Sequence, residues 1–576
     1  MDEHNLRQGK TATLKEEQNE PFSQPYPLWN DLFHYHMDFW QRNLLFFDTL
    51  RQRANGMMEH ERQGMPPPLH FKYEQVLDGR TLKPQTNYAL LKILEIDDVC
   101  FKECFDPNKP PVIIADPRAG HGPGIGGMKR DSEIGIALHR GHAVYFVIFY
   151  PEPVPHQTLP DVLATIKQFV EQVKIWHQGQ SPILYGNCQA GWMLALLASD
   201  CAGLVGPLVM NGSPISYWAS GKEEVNPMQL LGGLLGGVWL TRYLADLNDG
   251  TFDGAWLVQN FECLNPTTAI WDKYHHLFDE IDTERERFLD FEQWWNGFYR
   301  FSEEEITETV TSLFIGNQFE RGEIPIHHDC VYDLKRIHNP MVIFASQGDE
   351  ITPPYQALHW LRAIYPTTND LKKAKQRIVY LLHPTVGHLG IFVSAKVVRL
   401  EHRAILEHYK EIEQLPPGLY EMRIDNPTGN PDCSQEQYQV SFAERDLVKL
   451  CSSKPLEPFE NVRKLSEAND DYYRALVQPW VRVISNPLLT SWLEKMHPMR
   501  MSRYVFSEKM NPSMRFISWL AEAVEANRQT LNEDNVFKKN EQLMGEMIRS
   551  SIEILRNRRN DLMEQTFEFL YGGDKR

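Results

Sequence analysis

From Pro111 onward the chain alternates short apolar runs, each bounded by Gly or Pro, with stretches of helical character. The runs fall at residues 112–115, 143–150, 183–185, 204–210, 341–345 and 378–382, with a helix over 160–176 and another after Gln189. Runs this short and continuously apolar suit strands buried on both faces, and a helical stretch between two of them suits a crossover in a parallel sheet. The pattern therefore predicts an α/β core. With 576 residues the chain is several times longer than one small core needs. Its 42% hydrophobic and 11% aromatic content supports extensive burial and excludes a disordered chain.

The same reading divides the chain into five parts. Residues 1–95 read as a helical N-terminal extension, 96–212 as the first part of the core, 213–338 as an inserted helical cap, 339–412 as the second part of the core, and 413–576 as a mainly helical C-terminal region. The cap is rich in aromatic side chains, among them Trp256, Trp271, Trp294, Trp295, Phe298 and Tyr299. The last part contains one candidate strand at 419–424 and a long helix from about 532 to 570. In the first part, Trp29, Leu32, Phe33, Phe39, Trp40, Leu44 and Phe47 recur at spacings of three and four, which makes residues 28–53 an amphipathic helix. Its aromatic face is expected to be buried on the core or the C-terminal helices of its own chain as a brace, ahead of docking to a partner or a lipid-like surface.

Charge narrows the partners. The chain has 59 basic and 77 acidic residues, a net charge of −18, which repels phosphate backbones and anionic membranes, so nucleic acid is not expected as a partner. The apolar stretch at 230–240 is about half the ~20 residues of a membrane helix and reads as a buried hairpin or pocket wall. Residues 1–20 are polar and lack the apolar core of a secretory signal, so the expected location is the cytoplasm. The eight cysteines include no CxxC pair and need no disulfide framework.

The strongest chemical signal is LYGNCQAGW at 184–192, where an apolar run meets Gly186, Asn187, Cys188, Gln189, Ala190 and Gly191 before a helical stretch. A nucleophile held in a tight strand-to-helix turn needs small neighbours to keep side chains clear of the backbone. Cys188 occupies the apex, where a helix N-terminus would favour the thiolate and the Gln189 N–H would face an oxyanion. Ala190 stands where such a turn usually ends in Gly. An acid and a histidine follow in the order that α/β hydrolases require. Asp349, after Gly348 at the end of MVIFASQGDEITPP, is the acid in preference to Glu350, and His388, beside Gly387 in IVYLLHPTVGHLGIF, is the base in preference to His383.

Gly122, Gly124 and Gly127 match GxGxxG, but the loop is too long and Pro123 interrupts it, so dinucleotide binding is set aside. The loop from Asp116 to Gly127 is expected instead to supply a second oxyanion N–H near Arg118 or Ala119. His327, His328, Asp329 and Cys330 have no second ligand pair at zinc-like spacing, and no metal or cofactor is expected.

The cysteine elbow, GDEITPP, VGHLGIF and the cap stretch LFIGNQFERG at 313–322, with Phe319, resemble the polyhydroxyalkanoate synthases and the 3-hydroxyalkanoate-synthetase-like proteins related to them. The resemblance runs roughly over 111–394. It implies an α/β-hydrolase fold with an inserted helical cap, flanked here by helical N- and C-terminal extensions. It further implies Cys188 as acyl-accepting nucleophile, His388 as general base and Asp349 as its partner. The expected activity is acyl transfer from a (hydroxy)acyl-CoA or related thioester through an acyl-cysteine. A thioesterase or polyester hydrolase with the same trio, or an inactive scaffold on a granule, are the competing expectations, and a homodimer or attachment to a polymer granule stays open.

Overall fold

The computed structural model describes residues 26–94, 105–201, 203–220, 226–327, 330–430, 437–450 and 457–572. Residues 1–20, read as polar and without the apolar core of a signal, lie outside the described residues, as do Cys100, Cys104, His328, Asp329, Cys433 and Cys451.

Ten strands form one sheet: β1 (Tyr73–Asp78), β2 (Tyr88–Ile93), β3 (Val112–Ala115), β4 (Val144–Phe149), β5 (Ile183–Asn187), β6 (Leu208–Asn211), β7 (Met341–Ser346), β8 (Arg377–His383), β9 (Gly418–Asp425) and β10 (Gln439–Glu444). Their order is β1-β2-β4-β3-β5-β6-β7-β8-β9-β10. Strands β4 through β9 in that order run parallel, while β1, β2 and β10 pair antiparallel at the edges. Every residue of β3 to β7 is buried, as their unbroken apolar sequences require of strands covered on both faces. This topology is the α/β-hydrolase fold.

Two crossover helices matter most for the site. Leu159–Trp176 starts in a capping box between Thr158 and Asp161 and buries Leu159, Val162, Leu163, Ile166, Phe169, Val170 and Val173, one apolar face at helical spacing. Gln189–Asp200 is apolar nearly all round and is buried from Ala190 to Ser199.

Strands β1 and β2 fall within residues 1–95, which the sequence reading takes as helical. Edge position explains the miss for β1, which carries Glu74, Gln75 and Asp78 on a half-exposed edge, so no apolar run announces it. Strand β10 at the opposite edge is hidden in the same way. No helix among the described residues is long and apolar enough to cross a membrane.

The N-terminal helix, Tyr26–Arg62, packs on the C-terminal helices Pro498–Phe506 and Met514–Ala526 of its own chain, as expected, but by a different face from the one expected. Its aromatic stripe is not buried: Trp29 is 69% exposed, Phe33 61%, Trp40 64% and Phe47 41%. The opposite face is the buried one, and it is charged. Arg42 pairs with Asp38 and with Glu541 at 2.7 Å, Arg53 pairs with Glu292 at 2.8 Å, and Asp48 pairs with Arg285 at 3.1 Å, with Leu45, Leu50, Ala54 and Met57 between them. Leaving one partner of such a buried pair uncompensated costs roughly 3–5 kcal/mol, so the pairs lock the rotation of the helix and turn the aromatic stripe outward.

Candidate functional site

In a parallel sheet the loops leaving the carboxyl ends of neighbouring strands meet at one edge. Register brings the expected residues there. Ala115 on β3 pairs with Gly186 on β5, Asn187 with Asn211 on β6, and Ser346 on β7 with His383 on β8. The residues just beyond these pairs are therefore neighbours.

Cys188 is the first of them. It lies between β5 and the helix Gln189–Asp200 with φ +50 and ψ −118, a conformation that a non-glycine residue adopts only under constraint. Its N–H donates to Asn211 O at 2.8 Å. The turn closes because Gly186 and Gly191 touch: a Cβ on Gly186 would stand 2.6 Å from Gly191 Cα, and one on Gly191 would stand 1.8 Å from Ser213 Oγ. The close approach that a second glycine serves thus falls at Gly191, which is why Ala190 is tolerated.

His388 begins the short helix His388–Val393 after β8, and its Nδ1 meets Asp349 Oδ2 at 2.7 Å. Asp349 is buried, and its other oxygen accepts from the N–H groups of Ile351 and Thr352, each at 2.8 Å. Burial disfavours the His388 imidazolium, but the charges of Asp349 and Cys188, with a hydrogen bond to each, outweigh it and push the imidazole up to about 10. Gly212, at φ +53, makes room for the ring, since a Cβ there would lie 3.3 Å from His388 Cε1. The two rivals point elsewhere. Glu350 is exposed and accepts from Asn265, while His383 accepts from the N–H groups of Thr385 and Val386.

Of the expected oxyanion residues, Gln189 and Arg118 line one cavity of about 20 Å³, together with Asp116, Ala190 and Trp192, room for about one water molecule. The Arg118 side chain is committed elsewhere: it pairs with Glu305 at 2.6 Å and stacks 4.4 Å from the Phe301 ring. Ala119 is buried beside it in the chain. The glycine loop closes on its own carboxylate, with Gly124 N–H donating to Asp116 Oδ2 at 2.7 Å and Gly126 N–H to Oδ1 at 3.2 Å. The segment between β6 and β7 clamps this loop: Trp294 Nε1 donates to Gly122 O at 2.9 Å, and Tyr299 N–H to Gly120 O at 2.9 Å.

Sequence reasoning misses the polar layer under the elbow. Asn187 donates to Glu133, and Asn211 donates to Asn187 Oδ1 at 2.9 Å. Burial raises the Glu133 carboxyl well above the usual range and Asp116 to about 6. It also misses His121, buried 4.1 Å from the Trp294 ring and lowered to about 4, first by burial and then by the His388 charge. These partners are far apart in sequence, and only Asn187, adjoining the nucleophile, carries a local signal.

Fold and site together define a protein of the α/β-hydrolase class with Cys188 in the turn between β5 and the following helix. The chain belongs to the family described as "Protein of unknown function (DUF3141)", which matches residues 38–575. It is 40% identical over 557 residues to the "Uncharacterized protein in ackA 5'region" of Rhizobium meliloti, covering 95% of this chain and 75% of that one. Similar solved structures include an α/β-hydrolase-fold protein from Chitinophaga pinensis, with TM-score 0.34 and 9% identity over 60% of this chain and 99% of the other. The carboxylesterase CesB from Bacillus subtilis is similar at TM-score 0.34 and 10% identity, over 62% of this chain and 98% of the other.

Proposed function

We propose that the protein is a cysteine-dependent acyltransferase that takes an acyl group from an acyl-CoA or related thioester, as the resemblance to polyhydroxyalkanoate synthases implies. The observation that carries this reading is the sequence of contacts from the strained Cys188 to His388 to Asp349.

In the first half-reaction His388 takes the Cys188 proton and the thiolate attacks the thioester carbonyl. The N–H of Gln189, with one from Arg118 or Ala119, stabilises the tetrahedral oxyanion. Collapse breaks the carbon–sulfur bond of the donor, whose thiolate leaves with the proton from His388. In the second half His388 deprotonates an acceptor hydroxyl, which displaces Cys188 as an ester forms. Asp349 keeps the imidazole oriented and supports its positive charge throughout. Exchange between two thioesters costs little, so the acyl group stays activated on sulfur, which serine would not achieve. Burial of Cys188 and His388, with Cys188 in one apolar cluster with Trp294, Trp295 and Phe298, favours an organic acceptor over water.

The test incubates the protein with a panel of acyl-CoA donors, with and without a hydroxy-acid acceptor, and measures free CoA and acyl products. Ester formation exceeding free-acid release supports transfer. Free acid as the sole product makes the protein a thioesterase, and no CoA release with any donor refutes the reading.

A further inference from the structure

The helix Tyr26–Arg62 turns charge inward and aromatic surface outward, the reverse of an ordinary surface helix. Phe33, Trp40 and Phe47 are spaced by seven, with Met37 and Leu44 between them, the d and a positions of a heptad seam. Trp29 extends the same stripe by one turn. The stripe leaves on the order of 600 Å² of apolar surface in water, given the large area each aromatic ring carries. Patches of that size mark interaction sites, and the figure approaches the roughly 800 Å² per partner of a standard protein interface.

We infer that this stripe is a dimer interface, and that its occupant is the same helix of a second copy of the chain, packed about a two-fold axis. Three observations select a second copy. The heptad spacing presents side chains as knobs for another helix. None of the exposed positions between 28 and 47 carries Asp, Glu, Lys or Arg, so the seam meets itself without like-charge repulsion, although the whole chain has a net charge of −18. The same lack of basic residues gives anionic lipid headgroups nothing to hold. Residues 1–25 are a poor internal cover, because apart from Met1 their large apolar side chains are Leu6, Leu14 and Phe22. The buried pairs of Arg42 and Arg53 keep the stripe facing outward whether or not the second copy is present.

Light scattering on the full-length chain across the micromolar range tests this, beside the double variant Phe33→Ser/Trp40→Ser. The expected result is a wild-type mass twice that of one chain and a double variant at the single-chain mass that still unfolds cooperatively. A wild-type chain that stays monomeric at high micromolar concentration overturns the inference, as does a folded double variant that remains dimeric. If the double variant does not fold, hydrogen exchange of the wild-type chain at low and high concentration decides. Slower exchange across residues 28–47 at the higher concentration supports the interface, and equal exchange overturns it.

Discussion

His388 Nδ1 meets Asp349 Oδ2 at 2.7 Å, which leaves Nε2 as the nitrogen available to the Cys188 sulfur. The orientation is fixed from behind, because the second Asp349 oxygen is held by the Ile351 and Thr352 N–H groups. Asp349→Asn should keep this shape while offering the wrong hydrogen-bonding partner to the ring. Acylation should then fall by roughly a thousand- to ten-thousandfold in single-turnover assays, whereas Glu350→Gln and His383→Gln should stay within about threefold of wild type.

The same pair has a signature in stability. Folding raises the His388 imidazole from its ordinary 6.5 to about 10, so the folded chain binds its proton more tightly than the unfolded one. The stabilisation is complete below pH 6.5 and is lost as pH rises towards 10. Urea unfolding across this window should show a falling stability in wild type and a flatter profile in Asp349→Asn.

Asp116 should act in a lower window. Burial raises its carboxyl from 3.8 to about 6, so the folded state favours the protonated form and stability falls as pH rises between those values. The loss should be roughly 3 kcal/mol and should be absent from Asp116→Asn when unfolding is compared at pH 4 and above 6.

Gly212 has little room for a side chain beside the ring. At φ +53, with the His388, Ile391 and Phe392 side chains all 3.3 Å from a new Cβ, Gly212→Ala should cost about 1–2 kcal/mol by thermal unfolding. Displacement of the imidazole should lower acylation at least about tenfold.

These predictions also mark what a sequence can convey. The strands β3 to β8 are legible because burial on both faces leaves continuous apolar runs, and the pairing of Asp349 with His388 is legible because each comes directly after a glycine that follows such a run. Strand β1 is hidden because an exposed edge demands no apolar residues. Glu133 and Asn211 escape notice because their meaning comes from Asn187, a neighbour only in the folded sheet. The outward stripe of Trp29, Phe33 and Trp40 is misread for a related reason: Glu541 and Glu292, hundreds of residues away, decide which face of the helix is buried.

The central claim is that Cys188 carries the acyl group. Its most direct test is peptide mapping by mass spectrometry after brief incubation with an acyl-CoA donor and acid quenching. The account predicts one added acyl mass on the peptide that contains Cys188, a strong reduction of that adduct in Cys188→Ser, and its complete loss in Cys188→Ala. An adduct on Cys201 or Cys263 instead, or CoA release undiminished in Cys188→Ala, would contradict it.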